Sequence, residues 1–519
     1  MNARKALRTL MPILIVTVAA VAAAGASLAR HEQGRSSVAV ARPFVVGHIA
    51  ASARVAPLST SNCIATIGIR CYSPGQFERA YNLAALRAFG INGAGQTIAI
   101  VDSFGSPTIA ADLHAFDQTF SNPPAGSGIP ADPAIGIDPQ LTIIQPAGPV
   151  PPFDPTNDDM VGWAQETTLD VEWAHVMAPR AKILLVETPV SETEGVQGFP
   201  EIVKAENYVI DNHLASVISQ SFGATEETFP NQQALLALRS AFKNAQRHNV
   251  TVLGASGDEG PTDYQLNLED LYTMQVNSWP SSDPLVTSVG GTQMNLDDQG
   301  NHLSPDVVWN DSAVGIQAAG GGGPSHVFDR PDFQDGVRSV VGHARGTPDI
   351  SLNAAVDGGV WVYYTFVGPT SPYHIFGGTS AATPEFAGIV AMADQVARQW
   401  LGWLNGALYK LANGNGYGNG YAYGYGNGKR NQDSGVVDVT QGNNDIGPFV
   451  NSDGQTYHVP GYAAGPGYDL ASGLGTIDAA TFVPALARAA GGDGYGGDQN
   501  QGNGGNQGGN GGNQGGGGH

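Results

Sequence analysis

Short apolar runs alternate with longer segments of helical periodicity between residues 97 and 291. Five runs rich in Val, Ile and Leu predict buried strands at residues 97–102, 181–187, 216–222, 251–256 and 285–291. The segments between them predict helices at residues 107–120, 163–177, 196–212 and 232–248. The alternation predicts an α/β fold, a parallel sheet flanked by helices on both faces. Such sheets carry their sites at the carboxyl ends of the strands.

The amino terminus has a different pattern, which is typical of export. Three cationic residues, Arg4, Lys5 and Arg8, precede an apolar run over 10–24 and small residues at 27–29. These are the three parts of a secretory signal peptide, predicted here at residues 1–29. The apolar run is short for a membrane anchor. We therefore expect a secreted protein without stable membrane association after cleavage.

The remaining irregular stretches flank or interrupt one predicted globular domain over residues 73–490. Residues 30–72 have no clear period and are interpreted as a leader or linker. A stretch rich in Gly, Tyr and Asn at 413–430 is interpreted as a surface-loop insertion, and residues 491–519 as a disordered tail. Both Gly-rich stretches have too little apolar surface to offset the entropy cost of ordering them.

Charge and cysteine content narrow the classes of partner. The chain has 46 acidic and 24 basic side chains, a formal charge of −22, which disfavours nucleic acid and anionic lipid as partners. The shortage of cations is also compatible with an acidic working environment, where salt bridges are lost. The same composition is equally compatible with an acidic protein that is merely soluble. Two cysteines, Cys63 and Cys71, could close one small loop in an oxidising compartment.

The segment FGGTSAATPEFAG at 376–388 has the features of a nucleophile turn. Ser380 follows two glycines and a threonine and begins an amphipathic helix that contains Pro384. Backbone N–H groups at a helix start stabilise developing negative charge. A serine hydroxyl also needs a base to activate it. Gly-Thr-Ser alone could be an ordinary helix cap.

A histidine base does not fit the sequence. His175 lies near the end of a predicted helix and reads as a structural residue, and His374 lies in an apparent strand that could shape a pocket. Glu166 and Asp170 are four residues apart, so a helix would place them on one face. Two adjacent, partly buried carboxyls titrate as a pair that shares a proton. On spacing alone, however, a solvated acidic face is the commoner explanation.

Two further aspartates end predicted strands. Asp258 lies between glycines in SGDEG, where a protonated carboxyl could donate to an oxyanion, although a turn aspartate is the ordinary alternative. Asp102 in IAIVDSFG resembles the strand-end aspartate of the subtilisin triad. Without a matching histidine, Asp102 could instead join an acidic network near Glu166.

Together these segments resemble the sedolisin family of serine-carboxyl peptidases, over roughly residues 72–487. The matching motifs are ETTLD at 166–170, SQSFG at 219–223, SGDEG at 256–260, GTS with Pro384 at 378–384, and DVTQGN with AGPGYD at 438–443 and 464–469. The resemblance implies a subtilisin-like α/β fold with a C-terminal calcium-binding loop. One departure is the short segment before the domain, where the family usually has a large prodomain.

The resemblance also implies roles for individual residues. Ser380 is the implied nucleophile, Glu166 the general base, Asp170 its partner and Asp258 the oxyanion residue. The implied cofactor is Ca²⁺, held by carboxylates and backbone carbonyls of Asp438, Val439, Gly465, Gly467 and Asp469. These oxygen donors are the ligands that Ca²⁺ prefers.

The sequence thus predicts a monomeric, secreted, acid-acting endopeptidase with a Ser-Glu-Asp triad, whose partners are protein or peptide substrates. The first alternative is a tripeptidyl exopeptidase of the same family. A subtilisin-type serine peptidase and a non-catalytic surface protein are the others.

Overall fold

The computed structural model describes residues 42–43, 46–47, 54–191, 198–412 and 434–491. The predicted signal peptide, the insertion at 413–430 and the tail from residue 492 lie outside these ranges. Within the described ranges, no helix combines the length and the apolar character needed to cross a bilayer.

Eight strands form a central, mostly parallel sheet in the order β12-β11-β9-β7-β4-β6-β5, with β15 also paired to β11. Only the β11–β12 pair of this sheet is antiparallel. The strands of the described chain are β1 Arg42–Pro43, β2 Val46–Gly47, β3 Cys71–Tyr72, β4 Thr97–Ser103, β5 Leu141–Ile144, β6 Lys182–Thr188, β7 Val217–Gln220, β8 Phe222–Thr225, β9 Thr251–Ala255, β10 Ser278–Trp279, β11 Thr287–Gln293, β12 Val307–Val308, β13 Gly323–Asp329, β14 Ala344–Thr347, β15 Ile350–Asn353, β16 Gly359–Tyr363, β17 Tyr373–Gly377, β18 Val436–Val437, β19 Phe449–Val450, β20 Thr456–Tyr457 and β21 Thr476–Ile477.

Helices cover both faces of this sheet, as the sequence predicts. The helices of the described chain are α1 Thr60–Ile67, α2 Pro74–Ala80, α3 Leu83–Arg87, α4 Ile109–Ser121, α5 Asp158–Met177, α6 Phe199–Asp211, α7 Gln232–Ala237, α8 Ser240–His248, α9 Arg338–Val341, α10 Thr379–Ala397, α11 Asn405–Ala412 and α12 Ala479–Gly491.

The two faces of the sheet bury separate apolar clusters. Along β4, Ile98 and Ile100 join the cluster that includes buried residues of α5, α10 and α12. Ala99 and Val101 point the other way and join the cluster formed with α6 and α8. This alternation follows from the two-residue period of a strand. The predicted α/β fold class is therefore confirmed.

The structure corrects two element boundaries. The run at 216–222 is two strands, because the chain leaves the central sheet after Gln220 and β8 pairs with β1 and β10 instead. The helix predicted at 232–248 is two helices separated by Leu238 and Arg239. Apolar periodicity did not reveal either break, since both segments remain buried or amphipathic across it.

Part of the predicted leader over 30–72 is folded. Residues 60–67 form α1, and Cys63 and Cys71 are joined by a disulfide, both fully buried. β3 then pairs in parallel with β16. The linker interpretation does not hold for residues 60–72, where Cys63, Ile69, Cys71 and Tyr72 are buried in the core.

Candidate active site

The turn before α10 fixes the position of Ser380. β17 leads into Gly378, whose φ of +115° is accessible to glycine and strained for other residues. The Gly378 N–H donates to the carbonyl of Ala354 at 2.6 Å. Ser380 is then the second residue of α10 and is fully buried. The predicted nucleophile therefore lies at the start of a buried central helix.

Pro384 frees a carbonyl at this turn. A proline has no N–H, so the carbonyl four residues earlier, that of Ser380, loses its helical partner. The hydroxyl of Ser221, which also donates to Asp170 at 2.9 Å, shares its one proton with that carbonyl at the longer distance of 3.4 Å. The hydroxyl of Ser380 in turn donates to the carbonyl of Ser221 at 3.4 Å. Ser221, which follows the β7 strand, is thus coupled to the nucleophile turn in both directions.

The carboxyl pair comes from α5, which packs closely along α10. The side chain of Asn157 caps α5 by accepting from the N–H groups of Asp159 and Met160. Glu166 and Asp170 lie on one face and have no solvent exposure. The Ser221 hydroxyl donates to Asp170 Oδ1 at 2.9 Å. Ser221 therefore links the predicted carboxyl pair to Ser380.

Burial dominates the ionisation of this pair. Burial raises the pKa of Glu166 well above its usual value, and the charge of Asp170 raises it further. Burial also raises the pKa of Asp170, as does the charge of Asp102, whereas the nearby Ser221 hydroxyl and Glu166 carboxyl lower it. The two carboxyls therefore titrate as a coupled pair that holds a proton tightly.

The contact between Ser380 and Glu166 is loose in the free chain. Proximity of the Ser380 hydroxyl lowers the pKa of Glu166. Neither oxygen of Glu166 has a well-formed hydrogen bond, however, and the Ser380 hydroxyl is directed to the Ser221 carbonyl. Hydrogen bonds between catalytic groups are often long in free enzymes and shorten when substrate binds.

Asp102 belongs to the same acidic cluster. It is fully buried at the end of β4, and its charge raises the pKa of both Glu166 and Asp170. Burial raises the pKa of Asp102 itself to about 7, while the nearby hydroxyl of Thr167 opposes that shift. The expectation that Asp102 joins an acidic network near Glu166 is therefore met by the structure.

Asp258 reaches the start of α10 from the end of β9. Its Oδ1 accepts hydrogen bonds from the N–H and the hydroxyl of Thr379, both at 2.8 Å. These bonds hold the carboxyl beside the residue that precedes Ser380. The structure thus brings together residues from three separate segments of the sequence: Glu166 and Asp170, Asp258, and Ser380.

The two histidines near these residues have other contacts. Nε2 of His175 lies 3.3 Å from Oδ2 of buried Asp117, on the α4 side of α5. His374 stacks on Tyr364 with ring centroids 3.9 Å apart and an interplanar angle of 4°. Burial lowers the pKa of His374 to about 4. Neither histidine contacts Ser380 through a hydrogen bond.

The residues predicted to bind Ca²⁺ lie in one loop region. Asp438 Oδ2 accepts from the Gly467 N–H at 3.0 Å, and Asp469 Oδ2 accepts from the Gly465 N–H at 2.9 Å. Asp438 Oδ1 is buried without a hydrogen-bond partner. Val439 is buried beside this loop. An unpartnered carboxylate oxygen fits a hard cation, although the described residues contain no group of three or more His, Cys, Asp or Glu placed to hold one.

Sequence reasoning assigned no role to Ser221 or Thr379. Both carry polar contacts of the site, Ser221 to Asp170 and Thr379 to Asp258. Ser221 stands in a motif of the resemblance, and Thr379 precedes the nucleophile. Their neighbours in space could not be read from spacing, because the contacts join segments more than 50 residues apart.

Comparisons with known proteins agree with this geometry. The sequence model of the subtilase family matches residues 160–428, just over half of the chain and all of the segments that carry Glu166, Asp170, Asp258 and Ser380. The fold aligns with Pseudomonas sedolisin, a serine-carboxyl proteinase solved with two molecules of pseudo-iodotyrostatin. That alignment has a TM-score of 0.61 and 25% identity, and covers 82% of this chain and 99% of the solved sedolisin chain. The chain belongs to the subtilase family, on its sedolisin branch.

This sedolisin-family chain matches only part of the length of two curated relatives. Kumamolisin from Bacillus sp. (strain MN-32) is 29% identical over 425 residues, which cover 81% of this chain and 64% of kumamolisin. Tripeptidyl-peptidase 1 from Homo sapiens is 26% identical over 342 residues, which cover 62% of this chain and 51% of that relative. The chain therefore spans less than two thirds of the length of these relatives.

Proposed function

We propose that the chain is a serine-carboxyl endopeptidase that acts at acid pH. The observation that carries this proposal is the buried Glu166–Asp170 pair linked through Ser221 to Ser380. A histidine base is replaced here by a carboxyl pair, which can still accept a proton where imidazole is already protonated.

The mechanism starts with attack of the Ser380 oxygen on the scissile carbonyl. The Ser380 proton passes to Glu166, and the proton held by Glu166 passes to Asp170. The negative charge that began on Asp170 thereby ends on the oxyanion. A protonated Asp258 and the N–H groups at the start of α10 stabilise that oxyanion. Glu166 then protonates the leaving amine, and water repeats the sequence on the acyl-enzyme.

Acid operation is supported by carboxyls outside the site as well. Glu172, Glu206, Glu385 and Asp394 are fully buried, and burial raises the pKa of each. Their neutral forms fit an apolar interior, whereas their charged forms do not. The interior of the protein is therefore suited to acidic surroundings.

A tripeptidyl exopeptidase is the second candidate, because one curated relative is tripeptidyl-peptidase 1. The two functions differ in how they treat the substrate's amino terminus. We expect a denatured protein and an internally quenched peptide with an acetylated amino terminus to be cleaved from pH 3 to 5, since the base is a carboxyl pair (pH limits set about the usual carboxyl range).

The matched control is the same peptide with a free amino terminus. Equal rates on both peptides support an endopeptidase, whereas cleavage of the free peptide alone, three residues from its end, identifies the exopeptidase. An optimum at neutral pH contradicts the carboxyl base.

Calcium is the proposed cofactor. Asp438 and Asp469 would supply carboxylate oxygens, and Val439, Gly465 and Gly467 would supply backbone carbonyls. When bound, the ion would neutralise the two carboxylates and tie together the loops that carry them. It would hold the fold rather than take part in the reaction.

Chelation is expected to lower thermal stability. A ligand that binds only the folded chain raises stability by about 2.7 kcal/mol at one hundred times its Kd. We therefore expect excess EDTA to lower Tm by about 5 °C, and Asp438→Asn to abolish that response. Asp453→Asn, at an exposed aspartate in the same region, is the control. An identical Tm with Ca²⁺ and with EDTA contradicts the proposal.

Export is proposed from two observations of different kinds. The amino-terminal pattern is that of a signal peptide, and the Cys63–Cys71 disulfide is of a type that persists in oxidising compartments. We propose that the peptidase is secreted and acts as a monomer on protein or peptide substrates.

A further inference from the structure

Two short segments of the leader add antiparallel strands at the edges beside the site. Arg42 and Pro43 pair with Gly223 and Phe222 in β8, directly after Ser221. Extended peptides bind proteins by this kind of strand addition. The β8 edge therefore accepts an extended chain next to a hydroxyl that contacts the nucleophile turn.

The second segment pairs on the other side of that turn. Val46 and Gly47 pair with Gly377 and Phe376 in β17, three residues before Ser380. Three residues of extended chain span at most about 10 Å, so the two edges are close. Read from its amino end, the leader pairs with β8 first and with β17 second. A substrate with this direction places its acyl side on β8 and its leaving-group side on β17.

The β16–β17 hairpin on the second side carries a stack of rings. We define the aromatic ladder as His374, Tyr364, Phe366 and Phe153. Tyr364 is stacked on His374 at 3.9 Å and on Phe366 at 4.6 Å, and Phe153 meets Phe366 edge-on at 5.6 Å. His374 and Tyr364 are buried, whereas Phe366 and Phe153 are partly exposed. The ladder is thus buried at its His374 end and partly exposed at its Phe153 end.

Helix α5 holds this hairpin at several points. Gln165, the neighbour of Glu166, donates from Nε2 to the Tyr364 hydroxyl at 3.1 Å. Seven residues along the helix, Glu172 accepts from the Tyr363 N–H at 3.1 Å. The Trp173 indole donates to the Trp361 carbonyl at 3.0 Å. The ladder is therefore positioned by the helix that carries the carboxyl pair.

The ladder is uncharged above about pH 4. Burial lowers the pKa of His374 to about 4, so its ring is neutral above that pH and becomes charged below it. Burial also raises the pKa of Tyr364, which keeps its phenol neutral. An uncharged face of stacked rings favours another aromatic or large apolar group.

We propose that Phe366 and Phe153 line a subsite for the leaving-group side of the substrate, selecting aromatic or large apolar side chains there. The subsite rests on the proposed peptidase function and deepens it. Tyr364 and His374 are positioning residues, because their stacked rings hold the Phe366 ring in place on the hairpin.

The test uses two substrates with one acyl peptide. One ends in a p-nitroanilide and has no leaving-side residue, and the other is a quenched peptide with Phe among its first three leaving-side residues. The measured quantity is the ratio of kcat/KM for the peptide to kcat/KM for the anilide. We expect this ratio to fall about tenfold in Phe366→Ala and less in Phe366→Leu, since the stacking partner is lost.

Phe89→Ala is the control, because Phe89 is a highly exposed ring in a loop away from the hairpin. An unchanged ratio in Phe366→Ala, or an equal fall in the control, overturns the subsite. The ratio also separates selectivity from partial misfolding, which lowers both rates together. A wild-type protein that cleaves neither substrate contradicts the proposed function itself, a different result from an unchanged ratio.

Discussion

Glu166→Gln is expected to lower kcat by about a thousandfold at the acid optimum, with KM nearly unchanged. General acid–base groups contribute about 10²–10⁴ to rate, and an amide can neither accept the Ser380 proton nor release it to the leaving amine. Ser380→Ala should lose at least as much, because it removes the nucleophile. The measurement is kcat on the quenched peptide, with circular dichroism to confirm folding.

Glu172→Gln is the matched control for this change. Glu172 lies on the same helix, is equally buried, and accepts from the Tyr363 N–H rather than facing Ser380. Its replacement should leave most of the activity, since the pair is untouched and the amide oxygen of Gln can still accept from the Tyr363 N–H. Wild-type kcat in Glu166→Gln, or equal losses in both variants, would contradict the role of Glu166.

Raising the pH from 4 to 8 is expected to destabilise the folded chain progressively. Burial raises the pKa of Glu206 to about 8 and that of Asp394 to about 7. Between the unfolded pKa near 4 and these values, the folded chain binds more protons than the unfolded chain. The stability is therefore fully present below pH ~4 and is lost as pH rises through 7 and 8.

The Gln variants isolate this effect. Glu206→Gln should be more stable than wild type at pH 8, by on the order of 4 kcal/mol, and similar at pH 4. Glu385→Gln should shift in the same direction, since neither oxygen of Glu385 has a hydrogen-bond partner. The exposed Glu269→Gln is the control. Unfolding free energies from urea titration at both pH values decide the matter, and a stability maximum near pH 8 in the wild type would refute the account.

Apolar periodicity was sufficient to predict the strands of the central sheet, but not the point at which the chain leaves it. The strand at 97–103 is apolar on both faces because both are covered by helices, so its run of Ile, Ala and Val is conspicuous in the sequence. The departure after Gln220 is not conspicuous, since Phe222 remains buried. That departure places Ser221 against Asp170, which is a consequence of tertiary packing.

The candidate site was predicted residue by residue, together with a proton shared by Glu166 and Asp170. Spacing placed Glu166 and Asp170 on one helix face, and the turn residues marked Ser380. Their complete burial and the charge of Asp102 could not be deduced from spacing, because both depend on α10 and β4 packing against α5. These contacts raise the pKa of both carboxyls and strengthen their hold on the shared proton.

Acylation of Ser380 tests this central claim most directly. The protein is mixed with an activated ester substrate at pH 4, quenched in acid within the first turnover, digested and mapped by mass spectrometry. We expect wild type to carry the acyl group on Ser380, Glu172→Gln to do the same, and Glu166→Gln to accumulate it at least about a hundredfold more slowly. Acylation of another residue, or equally fast acylation of Ser380 in Glu166→Gln, would contradict a serine nucleophile activated by this carboxyl pair.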